Sequence, residues 1–162
     1  MRGLKIACPT FRHISPCSVH AAPNTTPIAF AEVYLALQNG TVEAQENPLT
    51  TIEAKKFFEV QKNIILTGHI VDHLNTVVSK QLWAKLSDED KKIFGEVMQQ
   101  AAERTTKTIA GKENSLVATF KEKGLNVAEV DKSDFEKTVM EKVKFEDFGY
   151  EKSDWEAIRA IQ

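Results

Sequence analysis

Cysteine is scarce: Cys8 and Cys17 are the only two in 162 residues. That is too few for a disulfide framework or a zinc site. Two unpaired thiols are the favoured reading, with a bridge between them the alternative in an oxidising compartment. Glycine is also sparse, seven residues with none clustered, so there is no Walker loop and no G-x-G-x-x-G dinucleotide turn. No G-x-S-x-G elbow or Cys-His-Asn pattern supplies a nucleophile. Glu32 and Glu46 are not a convincing acid/base pair, because no third group completes one. No run of eighteen apolar residues exists, so nothing is long enough to span a bilayer as a helix. Arg2 and Lys5 flank only the short Leu4, Ile6, Ala7 run, which is not the basic-then-apolar pattern of an export leader. The formal charge of −2 lacks the basic footprint of a nucleic-acid or acidic-membrane binder. These absences lead us to expect no enzyme, no cofactor, no nucleic-acid partner and no direct membrane insertion.

What is present is ordinary soluble-protein composition, 42% hydrophobic and 27% charged, in a length suited to one domain with a real core. Gly3 to Cys8 is apolar enough for a short buried strand. Residues 1–24 are otherwise irregular: Pro9, Pro16 and Pro23 break any helical period. Thr25 to Phe30 reads as a strand and Ala31 to Gln38 as a helix with Val33, Tyr34 and Leu37 on one face. Asn39-Gly40 supplies the left-handed cap. Thr41 to Gln45 reads as a second strand reached by a right-handed crossover. Asn47 is then a good N-cap and Pro48 a good helix start, for a helix Leu49–Val60 that buries Ile52, Phe57 and Val60.

Asn63 to Lys80 has β composition broken by Gly68 and reads as two extended pieces, Ile64–Thr67 and Asn75–Ser79. Gln81 to Leu86 is a short helix anchored by Trp83. Ser87 caps a long helix with acids in its first turn. Its apolar stripe runs through Ile93, Phe94, Val97, Met98, Ala101, Ala102, Ile109, Leu116, Val117 and Phe120, to a glycine cap at Gly124. Thirty-odd residues at a rise of about 1.5 Å each make a rod of roughly 50 Å. Leu125 to Val130 alternates as a strand, and helices follow at Asp134 to about Phe145 and Ser153–Ile161. The fold class is α/β, with an α/β core over 25–130, the long helix at about 88–123, and C-terminal helices over 131–162. Of the histidines, His13 and His20 have no carboxylate or cysteine cluster. His69 and His73 are four apart beside Asp72, but in a β-rich segment without an HExxH pattern, so no metal is expected.

The stretch FAEVYLALQNGTVEAQENPL, from Phe30 to Leu49, resembles the signature of the solute-binding proteins of TRAP transporters, the DctP-type periplasmic receptors. Those usually read F-S/A-E-V-Y-x-A-L-Q-x-G-x-V-D-G-Q-E-N-P. The similarity continues more loosely through KKFFEVQKNIILTGHI and LWAKLSDEDKKIF to LNVAEVD. It covers nearly the whole chain but only the C-terminal half of a usual family member. The resemblance implies an incomplete type II periplasmic-binding-protein architecture, one α/β lobe plus a long lobe-spanning helix, that closes around a small organic acid. The acid would be a dicarboxylate, keto acid or sugar acid, delivered to TRAP membrane permease subunits. It places Asn47 on the ligand's carboxylate or a neighbouring polar group, Phe30 against its carbon skeleton, and His69 beside the cleft. It also puts Ala7 where the family carries the arginine that clamps the carboxylate. Losing one partner of such a buried pair costs about 2–5 kcal/mol.

Three expectations follow. The first is a periplasmic solute-binding subunit. The second is a truncated remnant that grips ligand poorly or not at all. The third is a structural fragment whose exposed lobe surface makes a homo-oligomer.

Overall fold

A computed structural model describes residues 4–8, 24–70, 73–133 and 151–161, with single residues at 137, 141 and 149. The expected irregular segment 9–23 lies outside them, as do Cys17, His13, His20, Asp72 and most of the expected helix at 134–145. Two short parallel pairs form the β structure of the described residues. Strand β1 (Lys5–Cys8) pairs with β2 (Asn24–Pro27), Ile6 opposite Thr25. Strand β3 (Asn63–Leu66) pairs with β4 (Asn126–Glu129), Ile64 opposite Val127.

Between β2 and β3 the chain makes a 3-10 turn at Phe30–Glu32 and the helix α1, Val33–Gln38. Val33, Ala36 and Leu37, spaced three and four apart, form its buried face. Asn39 then accepts from the Thr41 N–H and hydroxyl, and Gly40 takes φ +75°, a backbone position glycine occupies without a Cβ clash. The strand expected over 41–45 is not formed. Only Ala44 bridges to Ile6, in parallel, while fully buried Val42 bonds back to the Ala36 carbonyl.

The helix expected over Leu49–Val60 is also corrected. Helix α2 spans Leu49–Ala54, Lys56 adopts φ +58°, and a 3-10 turn follows at Phe57–Glu59. The reason is geometric. Five residues of α-helix turn through about 140° beyond one full circle, so an unbroken helix would point Ile52 and Phe57 apart. The break lets both enter the core, Phe57 at 2% exposure, and sets Phe58 against Phe120 with ring centroids 5.7 Å apart.

Helix α3 (Lys80–Trp83) leads to α4, a single helix of 35 residues, Asp88–Glu122. The Ser87 hydroxyl oxygen accepts from the Asp90 N–H at 3.0 Å, as its sequence position predicts. Leu116 and Phe120 are the members of the α4 stripe that are fully buried. Ile93, Val97 and Ile109 are about half exposed. Trp83, expected as a core anchor, is 39% exposed and meets Phe94 edge-on at 6.0 Å. Asn75–Ser79 forms no strand, and Leu74 and Val77 stand in solvent. A strand needs a neighbour to take its backbone groups, and among the described residues this segment has none. Helix α5, Lys152–Arg159, closes the described chain.

The core gathers Ala7 of β1, the α1 face, Val42, Ile52, Phe57, Ile64, and Leu116 with Phe120 from α4. It is thus built by the strands, the short helices and the last third of α4.

Candidate functional site

A cavity of about 410 Å³ opens between the two strand pairs. Its floor is apolar, with Leu4, Ile6, Ile52, Phe57, Phe58 and Ile64 among the lining residues. Its polar groups are Gln45, Glu46, Asn47, Gln61, Asn63, Thr67 and His69. Thr67 and His69 follow the C-terminal end of β3, and Val130 follows β4. Gln45 to Asn47 follow the bridge residue Ala44. The cavity therefore takes the place where parallel sheets hold ligands, outside the carboxyl ends of the strands.

Two local pairs shape its polar side. Asn47 Nδ2 donates to Gln45 Oε1 at 2.6 Å, which fixes the direction of both amides. His69 Nδ1 lies 2.6 Å from Thr67 Oγ1, and its Nε2 is 3.8 Å from a Glu46 carboxylate oxygen. A neutral imidazole has one N–H. Placing it on Nε2, with the Thr67 hydroxyl donating to Nδ1, turns a donor rather than a lone pair toward the carboxylate, so the geometry favours that tautomer. Between these residues Gly68 has φ +48°, and a Cβ built there would meet Lys132 Nζ at 2.8 Å. The missing side chain lets that ammonium approach the backbone.

Asn47 does not cap α2. The N-cap position is Pro48, with no side-chain bond. Glu113 of α4 caps the helix instead: its carboxylate accepts the Thr50 N–H at 2.8 Å and the Leu49 N–H at 3.1 Å. The neighbouring Lys112 reaches Glu53 at 2.6 Å. A carboxylate satisfies free N–H groups at a helix start and suits the positive end of its dipole. The long helix thereby holds the segment that carries Gln45, Glu46 and Asn47. The anion-favouring helix start is already occupied from within the chain.

Of the sequence-predicted site residues, Asn47 and His69 come together in the cavity lining. Phe30 does not join them: it is 49% exposed, meets cavity-lining Phe57 edge-on at 6.2 Å, and has the Lys55 ammonium 5.4 Å from its ring centre. Ala7 is buried in the core cluster, while its neighbour Ile6 lines the cavity. Alternation along β1 puts the two on opposite faces. Gln61, Asn63 and Thr67 also line the cavity and were not singled out by sequence. Thr67, two residues before His69 in an extended run, had a signal in its spacing; Glu113, 64 residues from Leu49, had none.

Titration is displaced at two exposed groups outside the lining. The Tyr34 phenol, donating to Glu59 at 3.1 Å, is pushed up by that hydrogen bond and by the carboxylate's charge. The Asp131 carboxyl is held down by bonds from Ser133, first from its backbone N–H. Among the described residues, no group of three or more His, Cys, Asp or Glu could hold a metal ion.

Comparison with known proteins matches this geometry to a family. The family profile described as bacterial extracellular solute-binding protein, family 7 (DctP) matches residues 1–147. The sialic acid-binding periplasmic protein SiaP of Vibrio cholerae is 41% identical over 134 residues, covering 83% of this chain and 42% of that protein. Among solved structures, a TRAP periplasmic solute-binding protein of Roseobacter denitrificans with bound 3-deoxy-D-manno-oct-2-ulosonic acid superposes with a TM-score of 0.78 at 33% identity, over 86% of this chain and 46% of that one. Another from Polaromonas, bound to D-erythronate, gives 0.71 at 35% identity, over 85% and 46%. The chain thus spans less than half the length of these relatives.

Proposed function

The chain belongs to the bacterial extracellular solute-binding proteins of family 7, a family of receptors and not of enzymes, with the α/β fold of TRAP periplasmic binding proteins; on that premise we propose that it serves as ligand-gripping structure in a periplasmic TRAP receptor for a small organic acid. The observation that carries this reading is the cavity at the strand ends, in which Asn47 and His69 converge over an apolar floor. Asn47 and His69 contact the ligand's polar groups. Phe30 backs the floor through its edge contact with Phe57. Named relatives bind sialic acid, 3-deoxy-D-manno-oct-2-ulosonic acid and D-erythronate, which supports a carboxylic acid as the ligand class. Closure of a two-lobed receptor follows when ligand bridges both lobes and so stabilises the shut state. Delivery to the membrane permease pair is the role such a closed state fills.

Calorimetry of the 162-residue chain against C4 dicarboxylates, keto acids, uronates and aldonates tests the reading. The expected result is a dissociation constant in the micromolar range for at least one acid. Heat-free titrations across the whole panel would overturn it in favour of a chain that does not bind on its own. Self-association is a second reading, favoured by the solvent-facing Leu74 and Val77 and the half-exposed Ile93 and Val97. Light scattering that returns the 18.2 kDa monomer mass at high concentration would remove it.

A further inference from the structure

The charge of the cavity lining restricts which end of an acid it can hold. Glu46 carries the one permanent charge among the lining residues, and His69 adds a positive charge only when protonated. The lining's formal charge is therefore −1 or 0 and never positive. No lysine or arginine lines the cavity among the described residues. The nearest cation identified, Lys132, lies against the Gly68 backbone outside the lining. Ala7, at the position where the sequence pattern implies an arginine, faces the core.

The remaining polar groups are four amides and a hydroxyl: Gln45, Asn47, Gln61, Asn63 and Thr67. Such groups both donate and accept, which matches sugar-like hydroxyls, each itself a donor and an acceptor. A carboxylate accepts only, and needs converging N–H donors or a cation. Here the Asn47 amide is already spent on Gln45, and the imidazole faces Glu46.

Resting on the receptor reading above, we propose that this cavity takes the hydroxyl-bearing end of a polyhydroxylated monocarboxylic acid. Glu46 accepts a ligand hydroxyl and excludes a second carboxylate, and the ligand's single carboxylate points out of the cavity. The chain is thereby selective for aldonate-type acids over aldarate-type diacids of the same carbon skeleton.

D-Gluconate and D-glucarate are the probes. They share their carbon length and hydroxyl configuration and differ in whether the far end is a hydroxymethyl or a carboxylate. Calorimetry of the full chain is expected to show glucarate binding about tenfold or more weakly than gluconate, as repulsion at contact distance predicts. Glu46→Gln keeps an acceptor but removes the charge, so it is expected to shrink that ratio to about threefold or less. Lys132→Ala is expected to leave the ratio unchanged. Glucarate binding as tightly as gluconate, or a glucarate preference lost in Lys132→Ala, would overturn this inference while leaving the receptor reading intact. Binding of neither these nor any other acid would overturn both.

Discussion

The last third of the long helix and its first two-thirds have similar sequence patterns and different surroundings. From Lys112 to Phe120 the helix is fastened to the body by an ion pair, a helix cap and two fully buried side chains, Leu116 and Phe120. From Asp88 to Ile109 its stripe includes half-exposed Ile93 and Val97, accompanied by Trp83 and Phe94, which pack chiefly on each other. Apolar spacing tells which face of a helix is suited to burial. It does not tell whether anything is there to cover it. Leu74 and Val77 make the same point for an extended segment.

The difference has a measurable size. Phe120 is fully buried and touches Phe58, so Phe120→Ala should cost about 3–5 kcal/mol from lost transfer energy and the cavity left behind. That is a large share of the roughly 5–15 kcal/mol typical of a whole domain. Val97→Ala on the exposed stretch should move stability by no more than about 0.5 kcal/mol. Urea unfolding followed by circular dichroism compares the two. Similar losses for both would mean that the first two-thirds of the helix is covered in solution, and the contrast would fail.

A smaller effect is expected where the long helix meets the ligand-side segment. Glu113→Ala removes the acceptor of two N–H groups at the start of α2. Loss of a helix N-terminal acceptor costs about 0.5–2 kcal/mol, and a partly buried charged one belongs at the upper end. Glu113→Gln should recover part of this, since an amide oxygen still accepts. Hydrogen exchange at the Leu49 and Thr50 amides should quicken in the alanine variant. Unchanged protection there would show that α2 is held by packing alone, with no contribution from the cap.

Much of the fold was legible because the cues were local. Ser87 capped its helix as read, Gly40 and Gly124 took the left-handed positions their sequences suggested, and the cores of β1, β3 and β4 fell inside the apolar runs. The misreadings arose where distant residues decided. Asn47 has the chemistry of a cap, but a carboxylate 63 residues from Thr50 reached that helix start instead. The break at Lys56 follows from the need to bury Ile52 and Phe57 together, which no window around Lys56 reveals. The site divides in the same way. Asn47 and His69 were found through a motif and lie together at the cavity, whereas Gln61 and Asn63 reach it only through the β3 packing. Phe30 reads as either core or ligand contact, and it stands half exposed against a cavity residue. Ala7 is placed by strand alternation, which assigns it to the core face.

The weakest expected effect lies just past the tight region, where β4 runs out. Asp131 accepts the Ser133 N–H at 2.9 Å, and this bond and that of the Ser133 side chain hold its carboxyl below the ordinary 3.8. A carboxyl whose folded value is depressed stabilises the fold above its unfolded value and loses that contribution as pH falls through the folded one. Asp131→Ala should therefore lower the melting temperature slightly near neutral pH, with the difference from the parent chain shrinking between about pH 5 and about pH 3. An NMR titration of the Asp131 carboxyl should give a midpoint below the ordinary value. A midpoint at or above it would mean that the turn after β4 does not hold in solution, and the boundary of the tightly packed region would then fall before Val130.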